Sequence, residues 1–377
     1  MKRLIGLLTM LLVYASGIAS DATYIVTNAD YWDNNRPFAG AGTTTDCMAR
    51  VVFITNADSI RVTFFRANFM PSDIGVIVNG VVMPVIAANT ALPDYEQTNT
   101  IYIGAPGVSK TVQLINGAQT GGPGPQLPNG SYVLRVKYPS TASFAIVPPV
   151  YVPNRLYILG NSIATGSNAL YREVNSAAAI LRRTYNQPVF LDAWGWRGFY
   201  SSFINSDSTP NMTAIRALAH KVKLANPWKF YCELGTNDFG VFGGQLTVPR
   251  FKVVYAAVVD AIHDSLPLLP MYLQTLFPRT DFGATNNLNF SLEDYNNGIR
   301  RIALDRPYGV LVEGNTMADA SYLDPDDHLH LTTVGQAHWA EKIYGVITGN
   351  TPPVNPTVER PKLIHLNGTY ILKKKKV

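Results

Sequence analysis

The chain of 377 residues contains little cysteine and little charge. It has two cysteines, Cys47 and Cys232, and 15% of its residues are charged. A chain of this length can bury a large apolar core, so we do not expect a fold that depends on disulfides. None of the six histidines lies at ligand spacing from either cysteine, which disfavours a structural zinc site. Cys232 lies in the apolar run 230–234, which predicts a small buried side chain.

Long apolar runs are also missing after the first 20 residues. No later run reaches the roughly 20 apolar residues that a membrane helix needs, so no transmembrane segment is expected. The N-terminus has Lys2 and Arg3, an apolar run over 4–14, and small residues up to Ser20. This order of charge, apolar core and small residues is typical of a secretory signal. We therefore expect residues 1–20 to be a signal peptide and the protein to be secreted or periplasmic.

The basic charge is concentrated at the two ends of the chain. The formal net charge is +5, from 31 basic and 26 acidic residues. Six of the basic residues are Lys2, Arg3 and the lysine run 373–376. Removing those six from the 31 leaves 25 basic residues against 26 acidic ones. A nearly neutral body disfavours a nucleic-acid partner and suits an uncharged or mildly acidic substrate.

Residues 21–150 have the pattern of an all-β domain. Ile60, Val62 and Phe64 alternate with polar residues, which indicates a strand with one buried face. The dipeptide Asn79-Gly80 separates two apolar runs and predicts a tight hairpin. Strands of this length with Gly- and Pro-rich loops predict an antiparallel sandwich.

Residues 151–350 have a different pattern, in which short apolar strands alternate with amphipathic helices. The predicted strands are 156–159, 189–191, 230–234, 271–275 and 310–313. Five such strands with intervening helices predict an α/β domain whose parallel sheet is covered on both faces. A Pro-rich linker at 351–361, a hairpin and the lysine run complete a C-terminal segment, 351–377.

Chemically active residues follow these strands. Ser162 follows the first strand, Gly198 the second, Asn237 the third, and Asp327 and His330 the fifth. Ligands of parallel sheets bind beyond the carboxyl ends of the strands, so these residues are expected on one rim. An acyl-transfer site needs a nucleophile, a base held by a third group, and donors for the oxyanion.

These segments, in this order, resemble the sequence blocks of the SGNH (GDSL-type) hydrolases. The likeness covers about residues 155–347 and implies a flavodoxin-like, three-layer α/β/α domain that hydrolyses carboxylic esters. Residues 160–163 read Gly-Asn-Ser-Ile where the family has Gly-Asp-Ser-Leu or Ile, which implies that Ser162 is the nucleophile. The final Asp-x-x-His block implies that Asp327 and His330 complete the triad. No cofactor and no metal are expected.

The resemblance also implies an oxyanion hole. Gly198 matches the glycine whose backbone N–H faces the oxyanion, and Asn237 matches the asparagine that supplies a side-chain N–H. We expect Ser162 to begin a helix, so that its own N–H joins these two donors.

Spacing within the last block distinguishes the base from its neighbour. Asp327 stands three residues before His330, so its carboxylate can turn back to the imidazole and fix the tautomer. His328 has Pro325 at that position and is expected to be a loop residue. One departure concerns Asn161, which stands where the family has aspartate; it can bond backbone amides but carries no charge.

The substrate is predicted from aromatic residues and from domain layout. Trp194 and Trp196 precede Gly198, and Phe239 follows Asn237. Such rings stack on sugars or line acyl pockets, or they pack between loops. The layout resembles two-domain carbohydrate esterases, in which a jelly-roll module precedes the SGNH domain. On that analogy we expect the substrate to be an acetylated polysaccharide or another small ester.

Two alternatives remain open on the sequence. A lipase or thioesterase would share the triad but accept long acyl chains. A non-catalytic glycan-binding protein on an esterase scaffold is compatible with Asn161. An α/β-hydrolase is disfavoured, because no His-Gly-Gly-type segment precedes the serine and because acid and base lie three residues apart.

Overall fold

The computed structural model describes residues 21–26, 31–32, 50–65, 73–88, 96–116, 132–148, 154–240 and 246–349, and the strands at 363–366 and 369–372. The predicted signal peptide, Cys47, the linker at 351–361 and the lysine run at 373–376 lie outside the described residues. Within the described part of the chain, no helix combines the length and the apolar character needed to cross a membrane.

The N-terminal part is an all-β sandwich, as the alternation predicts. One antiparallel sheet has the order β1-β9-β4-β7, and the other has the order β10-β3-β8-β5-β6 with β2 beside β3. The strands are β1 (Asp21–Ile25), β2 (Tyr31–Trp32), β3 (Arg50–Thr55), β4 (Ser59–Phe65), β5 (Ile74–Val78), β6 (Val81–Ile86), β7 (Glu96–Tyr102), β8 (Lys110–Ile115), β9 (Tyr132–Pro139) and β10 (Phe144–Ile146). Ile60, Val62 and Phe64 all face the core between the sheets.

The predicted hairpin at Asn79-Gly80 joins β5 and β6. Both residues have positive φ, 49° for Asn79 and 79° for Gly80, as a type I′ turn requires. Asn79 Oδ1 also accepts a hydrogen bond of 2.8 Å from the Thr111 N–H on β8. The turn is therefore tied to the neighbouring strand of the same sheet.

The second part is a three-layer α/β/α domain. Its five strands are parallel and have the order β12-β11-β13-β14-β15. They are β11 (Leu156–Gly160), β12 (Val189–Ala193), β13 (Lys229–Cys232), β14 (Met271–Gln274) and β15 (Gly309–Val312). The helices are α1 (Arg172–Asn175), α2 (Ala177–Thr184), α3 (Phe199–Phe203), α4 (Met212–Ala225), α5 (Thr236–Phe239), α6 (Val248–Ser265), α7 (Leu292–Leu304), α8 (Gly314–Met317) and α9 (Thr333–Thr348), with a 3₁₀ turn at Ala320–Tyr322.

Both faces of the parallel sheet are buried. Ile158 of β11 packs in a core with residues of α2 and α9, whereas Leu159 packs in a second core with residues of α4, α6 and α7. Side chains alternate between the faces of a strand, so strands covered on both sides are apolar throughout. Cys232, at the end of β13, is fully buried, and burial raises the pKa of its thiol to about 11.

Helix α9 shows how local sequence sets the ends of an element. The side chain of Thr332 accepts a hydrogen bond of 3.1 Å from the Gly335 N–H and caps the N-terminus. Gly349, with φ of 70°, ends the helix in the left-handed conformation that glycine adopts without strain. Gly335 itself lies against the backbone oxygen of Tyr322, which an added Cβ would approach to 2.5 Å.

The sandwich packs on the α/β domain through β5, β8 and α1. Ile77 and Ile115 belong to the same apolar cluster as Val174. A Cβ at Gly75 would come within 2.9 Å of the Glu173 and Val174 side chains, so the approach of β5 to α1 requires glycine there. At the C-terminal end, β16 (Leu363–Leu366) and β17 (Thr369–Leu372) pair as an antiparallel hairpin.

Candidate active site

The segment after β11 forms a tight turn that carries Ser162. A Cβ at Gly160 would lie 2.4 Å from the Ala164 Cβ, so the turn closes only with glycine. Thr165 N–H donates to the Asn161 carbonyl over 3.1 Å, and Ser167 N–H donates to the Ser162 carbonyl over 3.0 Å. The expectation that Ser162 begins a helix is wrong. Consecutive turns follow it, and the next helix, α1, begins only at Arg172.

Ser162, His330 and Asp327 form a continuous hydrogen-bonded chain. His330 Nε2 lies 2.7 Å from Ser162 Oγ, and His330 Nδ1 lies 2.6 Å from Asp327 Oδ2. With the proton on Nδ1, the imidazole presents a lone pair to the serine hydroxyl, which is the tautomer a general base requires. The structure thus brings together the nucleophile, base and acid that the motifs predict, in a geometry suited to acyl transfer.

The loop between β15 and α9 holds the acid and the histidine in place. Asp327 Oδ1 accepts hydrogen bonds from the backbone N–H groups of Leu329 and His330, at 2.9 and 3.0 Å. Leu323 and Leu331 close the loop as a β-bridge. Burial alone would raise the pKa of Asp327, but its hydrogen bonds to His330 and Leu329 outweigh this effect and lower it. Asp327 is therefore held as a carboxylate.

His328 has a different position from His330. It adopts φ of 55°, and its backbone carbonyl accepts a hydrogen bond of 3.2 Å from the Thr280 N–H. These contacts fit the loop role expected from the sequence. Within the described ranges, no cluster of three or more His, Cys, Asp or Glu side chains has an arrangement able to hold a metal ion.

Two polar residues that the sequence analysis missed support the triad. Asn168 Nδ2 donates to Asp327 Oδ2 over 2.7 Å and to Asp324 Oδ2 over 3.2 Å. Buried Gln336, on α9, donates to the Ile163 carbonyl and accepts from the Ala177 N–H, each over 2.8 Å. Neither residue lies in a recognisable motif. The sequence shows only a glutamine six residues after His330, and its burial and partners depend on the tertiary structure.

Two of the three predicted oxyanion donors already donate to protein acceptors. Asn237 Nδ2 donates to the Arg197 carbonyl over 2.9 Å, which uses one of its two hydrogens. Gly198 N–H donates to Ser201 Oγ over 3.0 Å. No described residue accepts a hydrogen bond from the Ser162 N–H. The Ser162 N–H and the second Asn237 hydrogen thus have no described protein acceptor, whereas the Gly198 N–H would have to leave the Ser201 hydroxyl to bind another acceptor.

Asp238 fixes the segment that contains Gly198. Its two carboxylate oxygens accept the N–H groups of Phe199 and Tyr200, at 2.8 and 2.7 Å, at the start of α3. A Cβ at Gly198 would lie 2.8 Å from Asp238 Oδ2, so only glycine fits at this position. Burial raises the pKa of Asp238 to about 7, and the hydrogen bonds from Tyr200 and Phe199 act against this rise.

A buried ion pair anchors the other end of the same segment. Arg197 Nη1 donates to the Asp192 carbonyl over 2.6 Å and to Asp192 Oδ1 over 3.0 Å, and Lys221 Nζ lies 3.1 Å from the same carboxylate. Burial alone would raise the pKa of Asp192, but Arg197 and Lys221 outweigh it and hold it well below its ordinary value. Because the Arg197 carbonyl receives the Asn237 amide, the ion pair also orients that amide.

The three predicted aromatic contacts have different surroundings. The Arg197 guanidinium lies 3.6 Å from the centre of the Trp194 ring and covers one face of it. Trp196 is 47% exposed and has φ of 62°, and Tyr200 nearby is also exposed. Phe239 is only 1% exposed and packs edge-to-face on Phe282 and Tyr295. The expectation of a substrate contact at Phe239 is corrected, because its ring belongs to the core that supports the site.

Known proteins resemble the chain in structure and not in sequence. A scan against family models found no match, and a search of curated proteins found none either. Among solved structures, a family two carbohydrate esterase from Clostridium thermocellum in complex with cellohexaose is 15% identical, with a TM-score of 0.57 over 87% of this chain and 98% of that one. A GDSL-like lipase from Bacteroides ovatus is 12% identical, with a TM-score of 0.59 over 80% and 84% of the two chains.

A third solved structure is similar over most of the length of both chains. It is an acetyl xylan esterase from Butyrivibrio proteoclasticus, 12% identical, with a TM-score of 0.55 over 89% of this chain and 97% of that one. At these identities the likeness establishes the fold. The chain has the SGNH-type α/β/α fold preceded by a β-rich module.

Proposed function

We propose that the protein is a secreted serine esterase that deacetylates a polysaccharide through Ser162, His330 and Asp327. The observation that carries the proposal is the unbroken chain from Ser162 Oγ through the imidazole to Asp327, with its two distances of 2.7 and 2.6 Å. The fold shared with the carbohydrate esterases and the GDSL-like lipase supports an ester hydrolase. Secretion is inferred from the order of residues 1–20.

The first half of the reaction forms an acyl-enzyme. His330 Nε2 takes the hydroxyl proton as Ser162 Oγ attacks the ester carbonyl carbon, and the carbonyl electron pair moves onto oxygen. Asp327 stabilises the imidazolium that forms. The oxyanion accepts hydrogen bonds from the Ser162 N–H and the second hydrogen of Asn237 Nδ2, with Gly198 N–H as third donor. The tetrahedral centre then collapses, and the leaving alcohol takes the proton from His330.

The second half restores the serine. A water molecule gives a proton to His330 Nε2 and attacks the acyl carbonyl, and the same donors hold the second oxyanion. Collapse of this centre breaks the bond to Ser162 Oγ, which takes back the proton from His330. The products are a carboxylic acid and the free enzyme, so no cofactor enters the balance.

A sugar acetate is the proposed substrate because of what flanks the oxyanion donors. Trp196 and Tyr200 are about half exposed and lie on either side of Gly198 in the sequence. Aromatic faces of this kind stack on sugar rings. The body of the protein is nearly neutral, which fits an uncharged glycan better than a polyanion.

The test is release of acetate from acetylated xylan, mannan, pectin and peptidoglycan by the purified protein. We expect turnover on at least one glycan and none with Ser162→Ala. Ser167→Ala is the matched control, because Ser167 lies in the same turn and its hydroxyl lies 3.5 Å from Thr165 Oγ1, outside the chain from Ser162 to Asp327. This variant should keep its activity. Full turnover by folded Ser162→Ala would overturn the proposal.

A chain-length series of p-nitrophenyl esters separates the alternatives. A carbohydrate acetylesterase should be fastest on the acetate, whereas a lipase or thioesterase should accept longer acyl chains. Covalent labelling of Ser162 by an active-serine phosphonate tests for a binding protein on the same scaffold. Failure of the phosphonate to label Ser162 would favour that non-catalytic alternative.

A further inference from the structure

Asn161, which immediately precedes Ser162 in the chain, forms a buried pair with Glu233. Asn161 Nδ2 lies 3.1 Å from Glu233 Oε1, and the Asn161 backbone N–H lies 3.4 Å from Glu233 Oε2. The carboxyl thus receives two hydrogen bonds from one residue. Asn161 is fully buried and Glu233 is 3% exposed, so the pair lies beneath the protein surface.

No cation pairs with Glu233 among the described residues. Its carboxyl lies against Gly160, where a Cβ would come within 3.2 Å of Oε2. Burial raises the pKa of Glu233 to about 8, and the two hydrogen bonds from Asn161 oppose this rise. Tyr231, Cys232 and Tyr255 are buried groups that feel its charge, and burial raises the pKa of each of them as well. Asn161 therefore supplies the polar contacts that make a carboxyl tolerable here.

The same asparagine shapes the turn that carries Ser162. Asn161 Oδ1 accepts the Ile163 N–H over 2.7 Å, and the Asn161 carbonyl accepts the Thr165 N–H. The side-chain amide consequently has its oxygen committed to the turn and its nitrogen committed to Glu233. A change at Glu233 would reach Ser162 through this amide, because Asn161 immediately precedes the nucleophile in the chain.

We propose that the Asn161 amide and the Glu233 carboxyl act as a matched donor and acceptor pair that positions Ser162. This role rests on the proposed function. It explains how the chain accommodates asparagine at position 161, since the amide offers a donor to a buried carboxyl where a second carboxylate would repel it. Both members are positioning residues, and neither touches the reacting atoms.

Glu233→Gln tests the pair with almost no change of volume. The glutamine must turn its own amide nitrogen towards one of the two Asn161 donors, so one hydrogen bond is lost and two donors face each other. We expect kcat to fall about tenfold with KM nearly unchanged, because a buried donor without an acceptor costs about one tenfold step or more. A role in packing alone would leave kcat unchanged.

The double variant Asn161→Asp with Glu233→Gln reverses the pair and should restore it. The aspartate keeps an oxygen for the Ile163 N–H and offers the other to the glutamine amide, while the glutamine oxygen accepts the backbone N–H of position 161. We expect kcat within about threefold of the wild type. Asn161→Asp alone places two carboxyl groups face to face, and they can share one proton at low pH. As rising pH removes that proton, the kcat of this variant should fall relative to the kcat of the double variant.

Urea unfolding of the four proteins in this cycle measures the same coupling without turnover. The double variant should be more stable than Glu233→Gln, and a Glu233→Gln protein that fails to fold while the double variant folds gives the same answer. If the wild type hydrolyses no ester, the proposed function fails and the unfolding cycle still decides the pair. Wild-type kcat in Glu233→Gln, or a double variant no better than Glu233→Gln in either measurement, would overturn the proposal.

Discussion

The side-chain amide of Asn168 donates a hydrogen bond of 2.7 Å to Asp327 Oδ2. The same oxygen lies 2.6 Å from His330 Nδ1, so two donors share one carboxylate oxygen. Asn168 has φ of 66° and comes from the turn after Ser162. The nucleophile turn and the loop that bears the acid are therefore joined by a side chain as well as through the imidazole.

Removal of this amide should weaken the triad without abolishing it. For Asn168→Ala we expect kcat/KM to fall about two- to tenfold, which corresponds to the loss of the hydrogen bond to Asp327. The fall is limited because the backbone N–H groups of Leu329 and His330 still hold Asp327. Asn168→Asp should cost more, since it inserts a carboxylate between Asp324 and Asp327. Steady-state kinetics on one ester measure both. An aspartate variant as active as the wild type would contradict this role.

Loss of the Asp327 charge should be far more damaging. Asp327→Asn removes the acceptor that fixes the His330 tautomer, and we expect kcat to fall about 10³- to 10⁴-fold in a folded protein. Asp324→Asn is the control, because Asp324 lies in the same loop and also receives the Asn168 amide but does not bond the imidazole. Its kcat should stay within about threefold of the wild type. Equal losses of kcat in the two variants would show that Asp327 is not the acid of the triad.

Asn237 should act on the transition state and not on binding. We expect Asn237→Ala to lower kcat about 10²- to 10³-fold with a smaller effect on KM, as for other oxyanion donors. Thr236→Val is the matched control, because the Thr236 hydroxyl is buried without a partner among the described residues. That variant should keep kcat and be at least as stable in urea unfolding. A purely KM effect in Asn237→Ala would assign the amide to substrate binding.

Ser201 should compete with the oxyanion for the Gly198 N–H. Ser201→Ala removes the hydroxyl that holds this donor at 3.0 Å, so we expect kcat to rise about two- to tenfold. The same change removes a capping interaction at the start of α3 and should lower stability by about 1 kcal/mol. Steady-state kinetics and urea unfolding of the same variant measure the expected gain in kcat and the expected loss of stability. A kcat that stays the same or falls would count against Gly198 as an oxyanion donor.

Asp238 should make the stability depend on pH. Its pKa is raised from an ordinary value of 3.8 to about 7, so its contribution to folding is greatest below 3.8 and is lost as the pH rises through 7. Glu233 should also make the protein less stable as the pH rises, between pH 4.5 and about 8. We expect the difference in unfolding free energy between the wild type and Asp238→Asn to shrink by the order of 1 kcal/mol or more from pH 4 to 7.5. Urea unfolding at several pH values measures it, and a constant difference would show that Asp238 titrates normally.

The sequence alone determined the elements and the chemistry that depends on near neighbours. Alternation at Ile60, Val62 and Phe64 and apolar strands over 156–159 depend on residues two to four apart, whose relation is fixed by backbone geometry. The Asp-x-x-His spacing likewise identified His330 over His328, because a carboxylate three residues away reaches back to its own loop. The observed strands match the predicted ones to within two residues at either end.

Tertiary structure alone decided what distant residues do to one another. Ser162 and His330 are 168 residues apart, and Asn161 and Glu233 are 72 apart, so strand order and register bring each pair together. The same packing buried Phe239, which the sequence had suggested as a substrate contact. It also placed the Ser201 hydroxyl where it accepts the Gly198 N–H. The sequence could name the parts of the site because they recur at strand ends, whereas the hydrogen bonds that tune them depend on which side chains the folded sheet places in contact.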